Sequence, residues 1–423
     1  MLYARQFLVL TVLLAIIGCS GGGANTQTPI PQQDNTNSPI DSTSPTAGSD
    51  TVQSSPANDS IQQQLDAMSM EEKIGQMVLI GLEGTKLKQT TKDMLIEHRV
   101  GGFILYKRNI ESAKQTQQLL NELKAANNEN APPLLLSVDE EGGVVSRMPK
   151  PFLKLPTPRE IGQTNNTSYA YEIGSTIGEM LEELGFNMNF APVLDIDSNP
   201  NNPIIGKRSY GSGAQIVSDM GNAVAEGLQS NSIVPVVKHF PGHGDTEVDS
   251  HLDLPVVHKT LAELEALELI PFQLAIQNGV DAIMIAHILL PELDTEFPAS
   301  LSSTIIDGLL REKLGYNGVV ITDDMTMGGI TKHFDIGKAA VQSVLAGSDI
   351  ILVGHQDKLQ RAVIHALSAS AADGTLTEER INESVYRILQ LKQKYQLEDK
   401  ELSGVDIERI NKKLKEAAQL QAS

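Results

Sequence analysis

Eight short runs of apolar, largely β-branched residues recur along the chain, at 76–81, 102–105, 133–138, 188–194, 233–237, 282–286, 318–322 and 349–353. Amphipathic stretches fill the intervals, for example at 169–184, 215–229, 261–278 and 339–346. A strand that is apolar throughout is buried on both faces, and parallel strands joined by covering helices achieve that burial. Eight such units predict an α/β fold closed into a (β/α)8 barrel of the TIM type. A doubly wound open sheet would alternate in the same way, but no Gly-rich dinucleotide fingerprint follows the first run. Residues 60–73 read as an opening helix, with Ser69-Met70-Glu71-Glu72 as a capping box for its second half. Residues 378–422 read as closing helices rich in Lys, Glu and Leu. The barrel is expected over 59–396, with an additional C-terminal helical extension over 397–423.

The chain ahead of the barrel has a different character. Residues 1–18 carry a basic Arg5, an apolar run at 7–17 and a small residue, Gly18, before Cys19. That run is short of the roughly 20 residues a spanning helix needs, so it reads as an export signal peptide. Ile16-Ile17-Gly18-Cys19 resembles the bacterial lipobox, in which the cysteine is lipidated and becomes the mature N-terminus. Ordinary cleavage nearby, leaving a free thiol, is the alternative. Cys19 is the sole cysteine, which excludes an intramolecular disulfide and four-cysteine metal sites. Residues 19–58, rich in Ser, Thr, Asn, Gln, Gly and Pro, bury too little to offset their ordering entropy and read as a lipid-anchored, disordered linker. The expected location is extracytoplasmic, on a membrane held through Cys19.

Thirty-three basic against fifty-three acidic residues give a formal net charge of −20, which argues against a nucleic-acid partner. A barrel places function where strands end and βα loops begin. At those ends stand Asp139 and Arg147, then Asp195 with Lys207, Arg208 and Tyr210 in the following loop, then Lys238 and His239, His287, and Asp323-Asp324. The densest stretch runs from Lys238 to His251, where three histidines, three acids and a lysine fall within fourteen residues. His239, His243, Asp245, Asp249 and His251 could together ligate zinc, but no His-x-His follows the first strand and Lys238 would set a cation beside the metal. No Gly-x-Ser-x-Gly turn offers a serine nucleophile. Acetal cleavage fits better, with Asp323 as a carboxylate nucleophile and His251, made more basic by Asp249, as proton donor. No metal or organic cofactor is expected.

These residues bring a family into view. Lys238-His239-Phe240-Pro241-Gly242-His243-Gly244, continuing to Asp249-Ser250-His251, resembles the signature of family 3 glycoside hydrolases, in their bacterial β-N-acetylhexosaminidase branch. Asp139-Glu140-Glu141-Gly142-Gly143, Arg208-Ser209-Tyr210, Met284-Ile285-Ala286-His287 and the stretch from Ile321 to Met327 agree with it, so the likeness covers nearly the whole barrel. The resemblance implies a retaining mechanism in which Asp323 forms the glycosyl-enzyme, His251 is the general acid/base and Asp249 its dyad partner. It also implies that Asp139, Arg147, Arg208, Lys238 and His239 hold the hydroxyls and acetamido group of a terminal N-acetylglucosamine. The implied reaction is exo-hydrolysis of β-linked N-acetylglucosamine from peptidoglycan fragments such as GlcNAc-MurNAc. Val144 departs from the arginine the family often has after the Gly-Gly pair. Many family 3 β-glucosidases carry a second sandwich domain that supplies a glutamate acid/base; none is expected here, in keeping with a donor on the histidine loop of the barrel.

Rival readings accompany these assignments. Asp323 could cap the following turn, Asp139 could pair structurally with Arg147 or Lys238, and Lys238 with His239 could form a polar layer. His287 stands between substrate contact and support from behind. His243 reads as loop-shaping, and His98, His258, His333, His355 and His365 read as surface or packing residues. A glycoside phosphorylase of the same fold and a non-catalytic muropeptide-binding lipoprotein are the alternative functions.

Overall fold

A computed structural model of the chain describes residues 56–127 and 132–422. The leader, Cys19 and most of the expected linker lie outside the described residues. The eight apolar runs form eight parallel strands: β1 Val78–Gly81, β2 Gly102–Leu105, β3 Leu135–Val138, β4 Met188–Asn189, β5 Val234–Phe240, β6 Ala282–Ile285, β7 Val319–Thr322 and β8 Ile351–Val353. They pair in the order β7-β6-β5-β4-β3-β2-β1-β8. A parallel Ile321–Ile350 bridge brings the two ends together. Thr322 N donates to Ile350 O at 3.0 Å and Met325 N to Leu352 O at 2.9 Å. The expected (β/α)8 barrel is therefore present, and every residue of its strands is buried, as strands walled by helices and packed within require.

Local sequence explains the elements around it. The opening helical stretch is two helices, Pro56–Ala67 and Met70–Gln76, and Ser69 caps the second. Glu72 N donates to Ser69 Oγ at 3.3 Å while Ser69 N donates to Glu72 Oε2 at 2.8 Å, a reciprocal capping box. The run at 261–278 predicts one helix but forms two, Leu261–Ala266 and Ile270–Gln277. Pro271 sits in the first turn of the second, where its missing N–H is tolerated.

Two strands depart from expectation in ways that matter for the mouth. The run at 188–194 pairs as a strand only over Met188–Asn189, because Pro192 has no N–H to give a ladder. Beyond it a single bridge joins Val193 to Lys238. The run at 233–237 predicts a strand ending before Lys238, yet β5 continues to Phe240. Lys238 and His239 thus project from the rigid barrel wall instead of the loop.

At the opposite end, Asp349 is fully buried and ties the wall to the closing helix Glu378–Lys394. Its carboxylate accepts from Arg311 Nη2 at 2.6 Å, Ser384 Oγ at 2.8 Å, Val320 N at 2.9 Å and Arg387 Nη1 at 3.2 Å. A helix over Ile407–Ala417 then folds back on Thr167–Leu184, where Lys413 Nζ reaches Glu179 Oε2 at 2.8 Å. Among the described residues no helix is long and apolar enough to cross a membrane.

Candidate active site

The carboxyl ends of the strands surround a cavity of about 330 Å³, near the lower limit of the roughly 300–1,000 Å³ typical of small-molecule sites. Its polar wall is built around Glu141, a residue that sequence reasoning passes over in favour of Asp139. Glu141 receives Arg208 Nε and Nη2, each at 2.8 Å, and Lys238 Nζ, also at 2.8 Å. Lys238 Nζ reaches Asp139 Oδ1 at 2.8 Å, and Arg147 Nη2 lies 3.8 Å from Asp139 Oδ2. Burial alone would raise Glu141, but Arg208 and Lys238 outweigh it and hold the carboxyl well below the usual range. Burial likewise works against Lys238, yet Asp139 and Glu141 keep its ammonium above its ordinary value. Removing Glu141's charge would leave Arg208 without its carboxylate and buried Lys238 with Asp139 alone. Glu141→Gln is expected to cost about 3–5 kcal/mol of stability, read by urea unfolding. A loss below about 1 kcal/mol would show that the cations find other partners.

Alternation explains why Asp139 and Glu141 share the cavity while Glu140 does not. Gly142 and Gly143, at φ 86° and 60°, turn the chain back so that Arg147 N donates to Glu140 Oε2 at 2.7 Å. Glu140 Oε1 is buried and meets no donor among the described residues. Burial pushes the Glu140 carboxyl up to about 7, against the pull of its bond to the Arg147 backbone. A folded value above the unfolded 4.5 means stability is full below about 4.5 and declines as pH rises through about 7. Between about pH 5 and about pH 8, wild type should therefore lose on the order of 2–3 kcal/mol relative to Glu140→Gln. Parallel stability curves for the two proteins would refute this.

Behind the wall, Asp195 organises His239 of β5 and His243 of the loop after it. His239 Nδ1 lies 2.6 Å from Asp195 Oδ2, and His243 N donates to Asp195 Oδ1 at 2.6 Å. Burial raises Asp195, but His239 and His243 more than offset it and hold the carboxyl below its ordinary value. As a carboxylate only accepts, His239 donates through Nδ1 and Nε2 is left for the cavity it lines. His243 is buried between Thr246 Oγ1 at 2.9 Å and Ser250 Oγ at 3.0 Å. Burial, with His239 nearby, lowers it to about 4, a neutral ring that shapes its loop. Asp245 pairs with Lys259 at 2.9 Å, and among the described residues no three His, Cys, Asp or Glu side chains converge as a metal site.

Asp323 follows β7 and lines the cavity. Burial pushes its carboxyl up, but His239, His287 and the N–H of Asp324 prevail and bring it to about 2. It is ionised at any working pH. His251 lines the same cavity from the loop after β5, with its side chain 63% exposed. Asp249 Oδ1 accepts from His251 N at 2.8 Å and lies 2.9 Å from His251 Nδ1. That bond puts a proton on Nδ1 and presents Nε2 to a substrate.

Of the two places open to His287, substrate contact or support from behind, the structure gives it the second. It is fully buried and does not line the cavity. Nε2 meets the Asp324 carbonyl at 3.2 Å, so it carries the proton, and Nδ1 at 2.7 Å accepts from Ser300 Oγ. Both nitrogens are thus committed, Nε2 to the backbone behind the Asp323–Asp324 segment and Nδ1 to Ser300. His355, read as a surface or packing residue, does line the cavity, and it stacks on Tyr106 at 4.8 Å between centroids. Tyr106 OH donates to Asp324 Oδ2 at 3.1 Å. A single histidine after Gly354 carries little sequence signal; its position at the end of β8 was the available one.

Cleaving an acetal takes an ionised carboxylate on one side of the bond and an oriented proton donor on the other, within a cavity about one sugar wide. Fold and mouth together define a glycoside-cleaving (β/α)8 enzyme. Comparison identifies which: the profile of the glycosyl hydrolase family 3 N terminal domain matches residues 69–391, and the chain belongs to that family. A protein named Beta-hexosaminidase from Neisseria meningitidis serogroup C (strain 053442) is 35% identical over 290 residues, covering 67% of this chain and 79% of its own length. A glycoside hydrolase family 3 β-N-acetylglucosaminidase from Paenibacillus sp. str. FPU-7 superposes with a TM-score of 0.79 at 40% identity, covering 84% of this chain and 69% of that one. The β-glucoside phosphorylase BglX bound to 2FGlc reaches a TM-score of 0.77 at 25% identity, covering 87% and 66%.

Proposed function

We propose that the chain is an exo-acting, retaining β-N-acetylhexosaminidase that removes terminal β-linked N-acetylglucosamine from peptidoglycan fragments such as GlcNAc-MurNAc. The observation that carries this reading is that Asp323 and His251 line one small cavity. The hexosaminidase names of the relatives support the sugar. In the first step Asp323 attacks the anomeric carbon as its bond to the leaving oxygen breaks, and His251 gives that oxygen a proton. In the second, water opens the glycosyl-enzyme ester and its proton passes to His251. Asp139, Arg147, Arg208, Lys238 and His239 hold the sugar's hydroxyls and acetamido group. The leader exports the enzyme, and acyl chains on Cys19 hold it on a membrane outside the cytoplasm, a reading supported by Ile16-Ile17-Gly18-Cys19.

The test is to supply GlcNAc-MurNAc, a chitin disaccharide and an aryl β-glucoside, and to follow the released sugar. Turnover of the glucoside as fast as the N-acetylglucosaminides would sink the acetamido assignment. Phosphorolysis is the second reading, favoured by the likeness to BglX and by a histidine donor that repels phosphate less than a carboxylate. Sugar 1-phosphate in place of free sugar in phosphate buffer would establish it. The mass of the mature N-terminus decides the Cys19 anchor.

A further inference from the structure

The tip of the loop that carries His251 is held by the chain that follows the nucleophile. Burial does little there, since the His251 side chain is 63% exposed and Leu252 is 65% exposed. Its backbone is bonded instead: Gly328 N donates to His251 O at 3.1 Å and Gly329 N to Ser250 O at 3.0 Å. Both donors open the short helix Gly328–Thr331, where N–H groups lack intrahelical acceptors. A little further on, His333 Nε2 lies 2.6 Å from Asp253 Oδ1. The approach is too close for a side chain. A Cβ on Gly328 would stand 2.6 Å from Leu252 O and 2.7 Å from His251 O, both backbone atoms. On Gly329 it would stand 3.2 Å from Ser250 O.

We infer that Gly328 and Gly329 are positioning residues for the acid/base: a seat, on the same segment as Asp323, that sets the His251 imidazole relative to the nucleophile. The inference rests on the reading of His251 as proton donor. A methyl group on the seat lifts the loop and draws Nε2 away from the leaving oxygen, while Asp323 stays at the end of β7. Misplacement of this kind is costly where proton transfer matters and cheap where it does not.

The experiment compares kcat/KM, which reports the glycosylation step, on two N-acetylglucosaminides. One has a nitrophenol leaving group that departs without help, and the other a sugar leaving group that needs a proton. Gly328→Ala is expected to fall at least about tenfold on the second and less than about threefold on the first. Combined with His251→Ala it should be no worse than His251→Ala alone, because both act through one proton. Gly329→Ala gives the same split at smaller amplitude, and carries the test by itself should Gly328→Ala not fold. If His251→Ala shows the split and neither glycine variant does, or if the glycine variants lose both substrates equally, the seat is overturned. If His251→Ala itself shows no split, the proton-donor reading fails and the seat loses its basis.

Discussion

Asp323→Ala is expected to lose at least about 10⁴-fold in kcat on any N-acetylglucosaminide, whatever its leaving group. The loss is general because in the proposed mechanism both chemical steps pass through this carboxylate. No neighbour can replace it. Asp324, the nearest acid in sequence, spends Oδ1 on Gly354 N at 2.9 Å and Thr326 Oγ1 at 2.8 Å, and Oδ2 on Tyr106 at 3.1 Å. The surrounding charges keep Asp323 ionised down to about 2, so its activity as a nucleophile does not set the acid limb of a pH profile. A fluorinated N-acetylglucosamine analogue that slows the second step should leave its label on the peptide containing Asp323. A label on any other segment, or wild-type turnover by the alanine variant, would end the assignment.

His251→Ala is expected to divide substrates. With a sugar as leaving group the loss should reach about 10²–10⁴-fold, the range of general acid catalysis, whereas an activated aryl glycoside should keep most of its kcat/KM. For that aryl substrate kcat falls nonetheless, because the second step still needs a base, and KM falls with it as the covalent intermediate accumulates. Asp249→Asn should show the same pattern in weaker form, since an amide can still orient the ring but no longer stabilises the imidazolium. Equal losses on good and poor leaving groups would remove His251 from the role of acid.

Much of this architecture was legible because burial on both faces writes itself into composition. A parallel strand inside a ring of helices has no polar face, so runs such as 318–322 stand out against the amphipathic stretches around them. That same logic hides the end of β5. Lys238 and His239 are buried strand residues made tolerable by Asp139, Glu141 and Asp195, and polar residues in that position look like the start of a loop. Asp323, His251 and Asp249 carried strong motif signals, and the structure gathers them at one mouth. Glu141 and Asp195 were harder to see, because their importance lies in what they hold rather than in what they offer a substrate. His287 was undecided in sequence, because a histidine closing a strand can line a mouth or support it; Ser300, thirteen residues away, and the Asp324 carbonyl claim its ring.

The polar wall of the cavity also has an electrical consequence. Asp139, Glu141, Asp323 and Asp324 carry four negative charges, and Arg147, Arg208 and Lys238 carry three positive ones, so the cavity lining is within one charge of balance inside a chain of formal net charge −20. The ion pairs of the wall, Lys238–Asp139 and Arg208–Glu141 at 2.8 Å and Arg147–Asp139 at 3.8 Å, lie well inside a Debye length, where mobile ions screen little. An uncharged glycoside entering such a mouth releases no counterions and feels no long-range pull. Its capture should accordingly be almost indifferent to ionic strength, with KM for a neutral aryl substrate flat from dilute buffer to the salinity of seawater.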